Sequence, residues 1–269
     1  MNILCIGDVV GANGCEALRR VLPELKRQYD AGLTVVNGEN SFEHNGIVRQ
    51  SAAHIFASGA DVITTGNHVY RRPEFYQELE RNPYILRPAN YPDTAPGSGF
   101  CLVDLGRVQA AVLNLMGVIY MEPLRNPFDM ADHLVRQAVD AGARIILLDF
   151  HAEATSEKRA LGYYLDGRIT AMFGTHTHVQ TADACVLPKG TGYITDAGMT
   201  GPQQSVLGIR PEIAIAKMKD LLPVRFENAG GRSVVCGCVF TVDEQTGLTR
   251  QAQPICQMVE MEDQKGDHK

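Results

Sequence analysis

A chain of 269 residues can bury a sizeable core, and 45% hydrophobic with 21% charged residues is globular usage, which excludes a disordered or collagen-like protein. A net charge of −6 without a Lys/Arg stripe argues against tight, nonspecific binding to duplex nucleic acid, though not against a single nucleotide or a short RNA end. No apolar stretch approaches the roughly 20 residues that cross a bilayer. The apolar opening MNILCIGDVV also lacks the basic start and cleavage site of a signal peptide, so a soluble, cytoplasmic protein with no membrane partner is expected.

In chain order, ILCIG (3–7) reads as a strand, followed by a helix from about Glu16 to Tyr29 with Leu18, Val21, Leu22 and Leu25 at helical spacing. LTVVN (33–37) precedes a helix near 48–58, and DVITTG (61–66) precedes another near 73–81. The pattern resumes with a strand over 108–115, a helix near 129–141, a strand over 143–151, a helix near 156–165 and a strand over 169–175. This alternation predicts right-handed crossovers and an α/β sheet covered by helices on both faces. The last third changes character. CVLP, GYIT, SVVCGCVFTV and TRQAQPI are β-prone pieces joined by turns such as DEQTG, expected to pair antiparallel and to extend or flank the same fold, while Ile213–Leu222 reads as a helix. One domain over 1–269 is expected, with a polar tail from about residue 261.

Seven cysteines, an odd number, do not suit a disulfide framework. Cys5, Cys101 and Cys236 lie in strand-like runs as small buried hydrophobes, and Cys236-x-Cys238 reads as one face of a strand rather than a metal or redox pair.

The functional signal lies in the residues that end each apolar run. The first run closes in Gly7-Asp8, the second in Asn37-Gly38-Glu39-Asn40 and the third in Thr65-Gly66-Asn67-His68. Later runs end in Asp149-Phe150-His151 and in Gly174-Thr175-His176-Thr177-His178. Ligands of open α/β sheets bind beyond the carboxyl ends of the strands. Asp8, Glu39, Asn40, Asn67, His68, His151, His176 and His178 should therefore converge on one edge, with Gly7, Gly38, Gly66 and Gly174 allowing sharp backbone turns. Oxygen and imidazole donors suit iron, manganese or zinc, and the absence of cysteine among them disfavours a thiolate zinc site. Only Asp8 and Glu39 bring ligand charge, against about four or more positive charges on two ions, so the cluster would attract phosphate. Singly, each residue has an ordinary explanation: Asp8 as a turn or cap, Asn67 as a turn residue, His151 as a satisfied buried histidine. Five strand ends carrying such residues together point to a metal site.

Taken together, GD near the N-terminus, NGEN, TGNH, FHAE and GTHTHVQTAD resemble the calcineurin-like metallophosphoesterases, and more narrowly their YmdB-like branch. The resemblance runs over almost the whole chain, through TDAGMTGP (195–202) and the C-terminal β segment. It implies two packed mixed β-sheets flanked by helices, a four-layer α/β sandwich, with two metal ions at the strand ends. By the same resemblance, Asp8, Glu39, Asn40 and His178 hold one ion, and Glu39, Asn67, His151 and His176 the other, with Glu39 bridging and His68 as proton donor. Two departures from the wider superfamily stand out. Asp8 is followed by Val9 and Val10 rather than by the histidine of an Asp-x-His motif, and Glu39 with Asn40 replaces a bridging aspartate. Both belong to the YmdB-like branch, and they favour iron, or alternatively manganese, over zinc.

The activity implied is that of a phosphodiesterase acting on 2′,3′-cyclic nucleotides. Two ions about 3.5 Å apart would share a hydroxide and hold a phosphoryl oxygen in line, and His68 would protonate the departing alkoxide. A phosphomonoesterase such as a nucleotidase would use the same chemistry. A regulatory protein that keeps its metals but acts by binding RNA or a protein partner is the alternative from another class, and the intact ligand set argues against it. The partner expected is thus a small phosphodiester, and a homo-oligomer is compatible with the chain.

Overall fold

Strand β1 (Asn2–Ile6) is apolar on both faces, and both are buried: Ile3 and Cys5 enter one core cluster, Leu4 and Ile6 another. After it come β2 (Asp8–Val9), α1 (Gly11–Gln28), β3 (Ala31–Asn37), α2 (Arg49–Ala57), β4 (Val62–Thr64) and α3 (Tyr76–Arg81). The chain continues through β5 (Phe100–Asp104), β6 (Gln109–Met116), α4 (Pro127–Asp140), β7 (Ile145–His151), α5 (Thr155–Tyr164) and β8 (Ala171–Thr175). It ends with β9 (Cys185–Val186), β10 (Gly192–Ile194), β11 (Met199–Pro202), α6 (Pro211–Asp220), β12 (Ser233–Val242) and β13 (Thr249–Val259). The structure, a computed structural model, describes residues 1–43 and 45–261, so the expected polar tail after Met261 lies outside the described residues.

Two mixed sheets result. One has the order β2-β11-β12-β1-β3-β4, with β13 paired to β12, and the other β5-β6-β7-β8-β10-β9. They pack face to face, with Ile3, Cys5, Val35 and Phe240 against Val112, Leu147 and Phe173. The outer face of the first sheet meets α1 and α2 through Leu18, Leu22 and Ile55. That of the second meets α4 and α5 through Leu134, Ala138 and Leu161. The architecture is the four-layer sandwich that the resemblance implies. It corrects the expectation of one sheet with helices on both faces: the strands are apolar on both sides because the second cover of each sheet is the other sheet.

Other differences have local causes. Helix α1 begins at Gly11 rather than near Glu16, although GANG carries no helical apolar period. Its first turn is set by packing, since a Cβ on Gly14 would lie 2.3 Å from the Thr200 carbonyl oxygen of β11. The helix expected over 73–81 is divided into a 3-10 turn at 73–75 and α3. The C-terminal strands do not merely flank the sheet. β12 pairs along its whole length with β13, so its other edge is shared by β1 and β11, with Cys5 opposite Cys238 and Thr200 opposite Val235. The parting comes at Gly7, where a Cβ would lie 1.8 Å from the Gly198 carbonyl oxygen. Asp8 then joins β11, its backbone N–H donating to Gly198 at 3.1 Å. All seven cysteines are free, and Cys236 and Cys238 lie on β12 as expected.

Candidate metal centre

The period of two that builds the core also builds the site. On β7, Ile145 and Leu147 face the opposite sheet, so Asp149 and His151 follow on that face. By the same alternation Thr175 follows Phe173 on β8, Asn37 follows Val35 on β3, and Thr64 follows Val62 on β4. The apolar layer therefore ends in a buried polar one whose members satisfy each other. Asp149 accepts from the Thr64 hydroxyl, from Asn37 Nδ2 at 2.9 Å and from Thr175 Oγ1 at 2.7 Å. Burial nevertheless pushes its carboxyl up to about 6.

One step beyond this layer stand three histidines, each with one ring nitrogen taken by a neighbour. The Thr175 hydroxyl gives its proton to Asp149, so its oxygen accepts from Nδ1 of His151 at 2.9 Å. Nδ1 of His178 lies 3.1 Å from the Leu207 carbonyl oxygen, which can only accept. Nε2 of His176 lies 3.1 Å from the Glu153 carboxylate. In the neutral imidazoles, lone pairs are then left on Nε2 of His151, Nε2 of His178 and Nδ1 of His176, the orientation that outer partners impose on metal-ligating imidazoles.

Those atoms face a common centre. Nδ1 of His176 is 3.1 Å from Nε2 of His151, which is 3.0 Å from Asn67 Oδ1 and 3.3 Å from Glu39 Oε1. Glu39, His151 and His176 each offer an atom within 4.8 Å of the other two, a group able to hold one metal ion. On the far side, Asp8 Oδ1 lies 3.7 Å from Nε2 of His178 and is buried with no hydrogen-bond partner among the described residues. A buried carboxylate oxygen without a donor suits a cation. The residues present thus fit a metal. Asn40 is oriented differently from a ligand: its Nδ2 faces Glu39 at 2.9 Å and His178 at 3.2 Å, and its Oδ1 faces His68 Nδ1 at 3.0 Å. A carboxamide ligates through oxygen, so Asn40 would serve only with its amide turned over.

The charges are strongly coupled. Burial works to raise the Glu39 carboxyl, but the charge of His151 and hydrogen bonds from His151 and His68 hold it well below the usual range. Burial works to lower His151, yet Glu39, Asp8 and Asp149 bring it up to about 9. Burial, then the charge on His151, pushes His176 down to about 3. His68 borders the same carboxylate. Its backbone N–H donates to Glu39 at 3.1 Å, its Nδ1 lies 3.1 Å from Glu39 Oε1, and Asn45 Nδ2 approaches its Nε2 at 3.4 Å.

Backbone placement is equally specific. His176 and His178 adopt φ of 101° and 63°, a strained region for residues with a Cβ. A buried ion pair holds their loop: Lys158 Nζ donates to the Thr175 carbonyl and to Asp196, both at 2.8 Å. Asp196 also accepts from the backbone N–H of Thr177 at 3.1 Å and its hydroxyl at 2.7 Å. The glycines at the strand ends serve close approach rather than sharp turns, since none of Gly7, Gly38, Gly66 and Gly174 has a positive φ. A Cβ on Gly66 would lie 2.2 Å from the His151 ring and 2.4 Å from Glu39 Oε2.

All eight residues named from the strand ends are gathered here, and their neighbours Asp149, Thr175, Glu153, Lys158, Asp196 and Leu207 are additional. Asp149 and Glu153 carry a local signal, each standing two positions from His151 in a motif already notable. Leu207 carries none. Above the centre opens a cavity of about 290 Å³, reached by His68, His176 and His178 and walled by Phe42, Leu207 and Phe226.

Residues 4–255 match the family model of YmdB-like proteins. The 2′,3′-cyclic-nucleotide 2′-phosphodiesterase of Bacillus subtilis is 46% identical over 246 residues, covering 91% of this chain and 93% of that protein. A crystal structure of a hypothetical protein from Thermus thermophilus superposes with a TM-score of 0.89 at 38% identity, over 96% of this chain and 99% of that one. A Mycoplasma pneumoniae structure described as a novel phosphatase does so with a TM-score of 0.90 at 30% identity, over 97% and 94%. With the family model matching nearly the whole chain and the Bacillus relative 46% identical over 91% of it, the chain belongs to the family of YmdB-like proteins.

Proposed function

We propose that this protein is a metal-dependent phosphodiesterase that hydrolyses nucleotide phosphoesters, 2′,3′-cyclic nucleotides first among them. The observation that carries the reading is the Glu39–His151–His176 cluster, in which the second nitrogen of each imidazole is held by Thr175 or Glu153. The cyclic-nucleotide activity of the Bacillus relative supports the substrate class.

Glu39, Asn67, His151 and His176 would hold one ion. Asp8, Glu39, Asn40 and His178 would hold a second, and the oxygen-rich donor set suits iron or manganese. Bound there, the ions supply Lewis acidity for a water and for the phosphoryl oxygens. The side chains do the rest. His68 rests its Nδ1 on Glu39 and Asn40, and its Nε2 would give a proton to the departing ribose oxygen, a poor leaving group without one, once the Asn45 amide beside it turns its oxygen inward or yields to substrate. Lys158 and Asp196 hold the loop of His176 and His178 in place. A phosphomonoesterase reading has in its favour the description of the Mycoplasma structure as a phosphatase.

We further read the chain as one catalytic domain working in the cytoplasm. Its seven free thiols suit a reducing compartment, and no helix among the described residues is long and apolar enough to cross a membrane. Elemental analysis of purified protein, beside an assay panel of cyclic and linear phosphate esters, tests the proposal. About two ions per chain are expected. Chelation should abolish activity, and manganese or ferrous iron should restore it. Full activity in metal-free protein would overturn the reading, and a preference for monoesters would make the protein a nucleotidase.

A further inference from the structure

We propose that the cavity above the metal centre is a nucleobase subsite walled by Phe226 and Phe42, so that the protein selects nucleoside phosphodiesters over base-free ones. The proposal rests on the phosphodiesterase reading for the orientation of the substrate, phosphate inward and base outward.

One cavity of about 290 Å³ joins His68, His176 and His178 to Phe42 and Phe226. Small-molecule sites span ~300–1,000 Å³, so this volume lies at the lower edge of that range, the size of a small ligand such as a mononucleotide. Its inner end is ionic, and Phe42, Leu207, Ile209 and Phe226 give its walls an apolar part. Phe226 is 42% exposed in a stretch without helix or strand, where an aromatic ring contributes little to the core. The stretch is nonetheless anchored. Arg210 N–H donates to the Glu227 carbonyl at 3.0 Å, Ala229 N–H to Gly208 at 2.9 Å, and Ile209 bridges Asn228. Gly11, at φ +61°, leaves room for the neighbouring Asn228 amide, whose Nδ2 would lie 2.2 Å from a Cβ there.

The same anchoring reaches the metal centre. Leu207, at φ +54°, presents its carbonyl to His178 Nδ1 while its side chain walls the cavity, so one turn orients both an imidazole and an apolar surface. Across the site, Phe42 carries the Arg72 guanidinium 4.9 Å from its ring centroid, and Arg72 also donates to the Asn45 carbonyl at 3.3 Å. Two separately anchored aromatic rings beside a phosphate-sized ionic floor match a base attached to a phosphate. Stacking tolerates any base because each has a π-face. The Asn45 and Asn228 carboxamides line the cavity too, and an amide can present donor or acceptor to a base edge. Broad base tolerance is therefore expected, with a firm requirement for a base.

The test is calorimetric binding of adenosine 3′-monophosphate and of glycerol phosphate to metal-loaded, full-length protein and its Phe226→Ala variant. Wild type should bind the nucleotide more tightly. Phe226→Ala should weaken nucleotide binding about 5- to 100-fold more than glycerol phosphate binding, and Phe226→Trp should retain it. Equal affinities in wild type, or equal losses in the alanine variant, would overturn the subsite. Binding needs no turnover, so the two proposals fail separately. A wild type that binds nucleotide through Phe226 yet cleaves no diester would refute the enzyme and keep the subsite. Cleavage of glycerol 1,2-cyclic phosphate as efficient as that of nucleoside 2′,3′-cyclic phosphates would do the reverse.

Discussion

The hydroxyl of Thr175 lies 2.9 Å from Nδ1 of His151, and because its proton goes to Asp149 it can only accept from that ring. A side chain that is not itself among the proposed ligands thus decides which nitrogen of His151 is free for a metal. Thr175→Val, which keeps the shape and removes the hydroxyl, should lower metal affinity about 10- to 100-fold while the chain still folds. Competition titration against a chelator, beside circular dichroism, checks this. Unchanged affinity would show that Thr175 does not set the ring.

Metal affinity should rise with pH. In the metal-free chain His151 holds its proton up to about 9, because Glu39 and Asp8 outweigh the effect of burial. A ligating imidazole must release that proton, so affinity should climb roughly tenfold per pH unit and level off as pH passes about 9. Stability of the metal-free protein runs the other way. A folded pKa raised above the ordinary ~6.5 stabilises fully below that value, and the contribution is lost as pH rises through about 9. Chelator competition and thermal melts across this range measure both, and a flat affinity profile would refute the linkage.

Glu39 is the carboxylate common to both proposed ligand sets. Glu39→Gln preserves size but removes one of two ligand charges, so repulsion between bound ions rises. Elemental analysis should find at least one ion lost and turnover nearly abolished, with the fold retained. Normal loading of both ions would show that Glu39 does not bridge.

His68 separates chemistry from metal binding. As the proton donor, His68→Ala should keep its metals and lose roughly 10²–10⁴-fold in turnover on an ester with a poor leaving group. The loss should shrink on a nitrophenyl ester, whose leaving group scarcely needs a proton. Equal losses on both substrates together with depleted metal would assign His68 to ligation or structure instead.

Lys158 and Asp196 are 1% and 0% exposed at their side chains. Lys158→Met leaves Asp196 buried without its cation and frees the Thr175 carbonyl, and should destabilise the protein by about 3–5 kcal/mol. Denaturant unfolding of the metal-free form measures the loss directly. A change under about 1 kcal/mol would mean that solvent replaces the ammonium group.

The sequence by itself determined the alternation of strands and helices, the run of ligand-type residues at five strand ends, and, through its motifs, the family. These are local patterns: an apolar period ends, and the next residues are Asp8, Glu39, Asn67, His151 or His176. Tertiary structure decided the rest. That β12 shares one edge between β1 and β11 follows from the backbone contact of Gly7 with Gly198, which no periodicity encodes. β2 and β11 are too short to show a period of their own, and β5, an edge strand, is apolar at four successive positions and does not alternate. Glycines that read as turn formers serve close approach, a distinction visible only once His151 stands beside Gly66. Asn37 and Asp149 meet across 112 residues of chain, and Lys158 and Asp196 across 38. Which polar side chains satisfy one another depends on the registers of two facing sheets, and register is a property of the packed core rather than of any stretch of sequence.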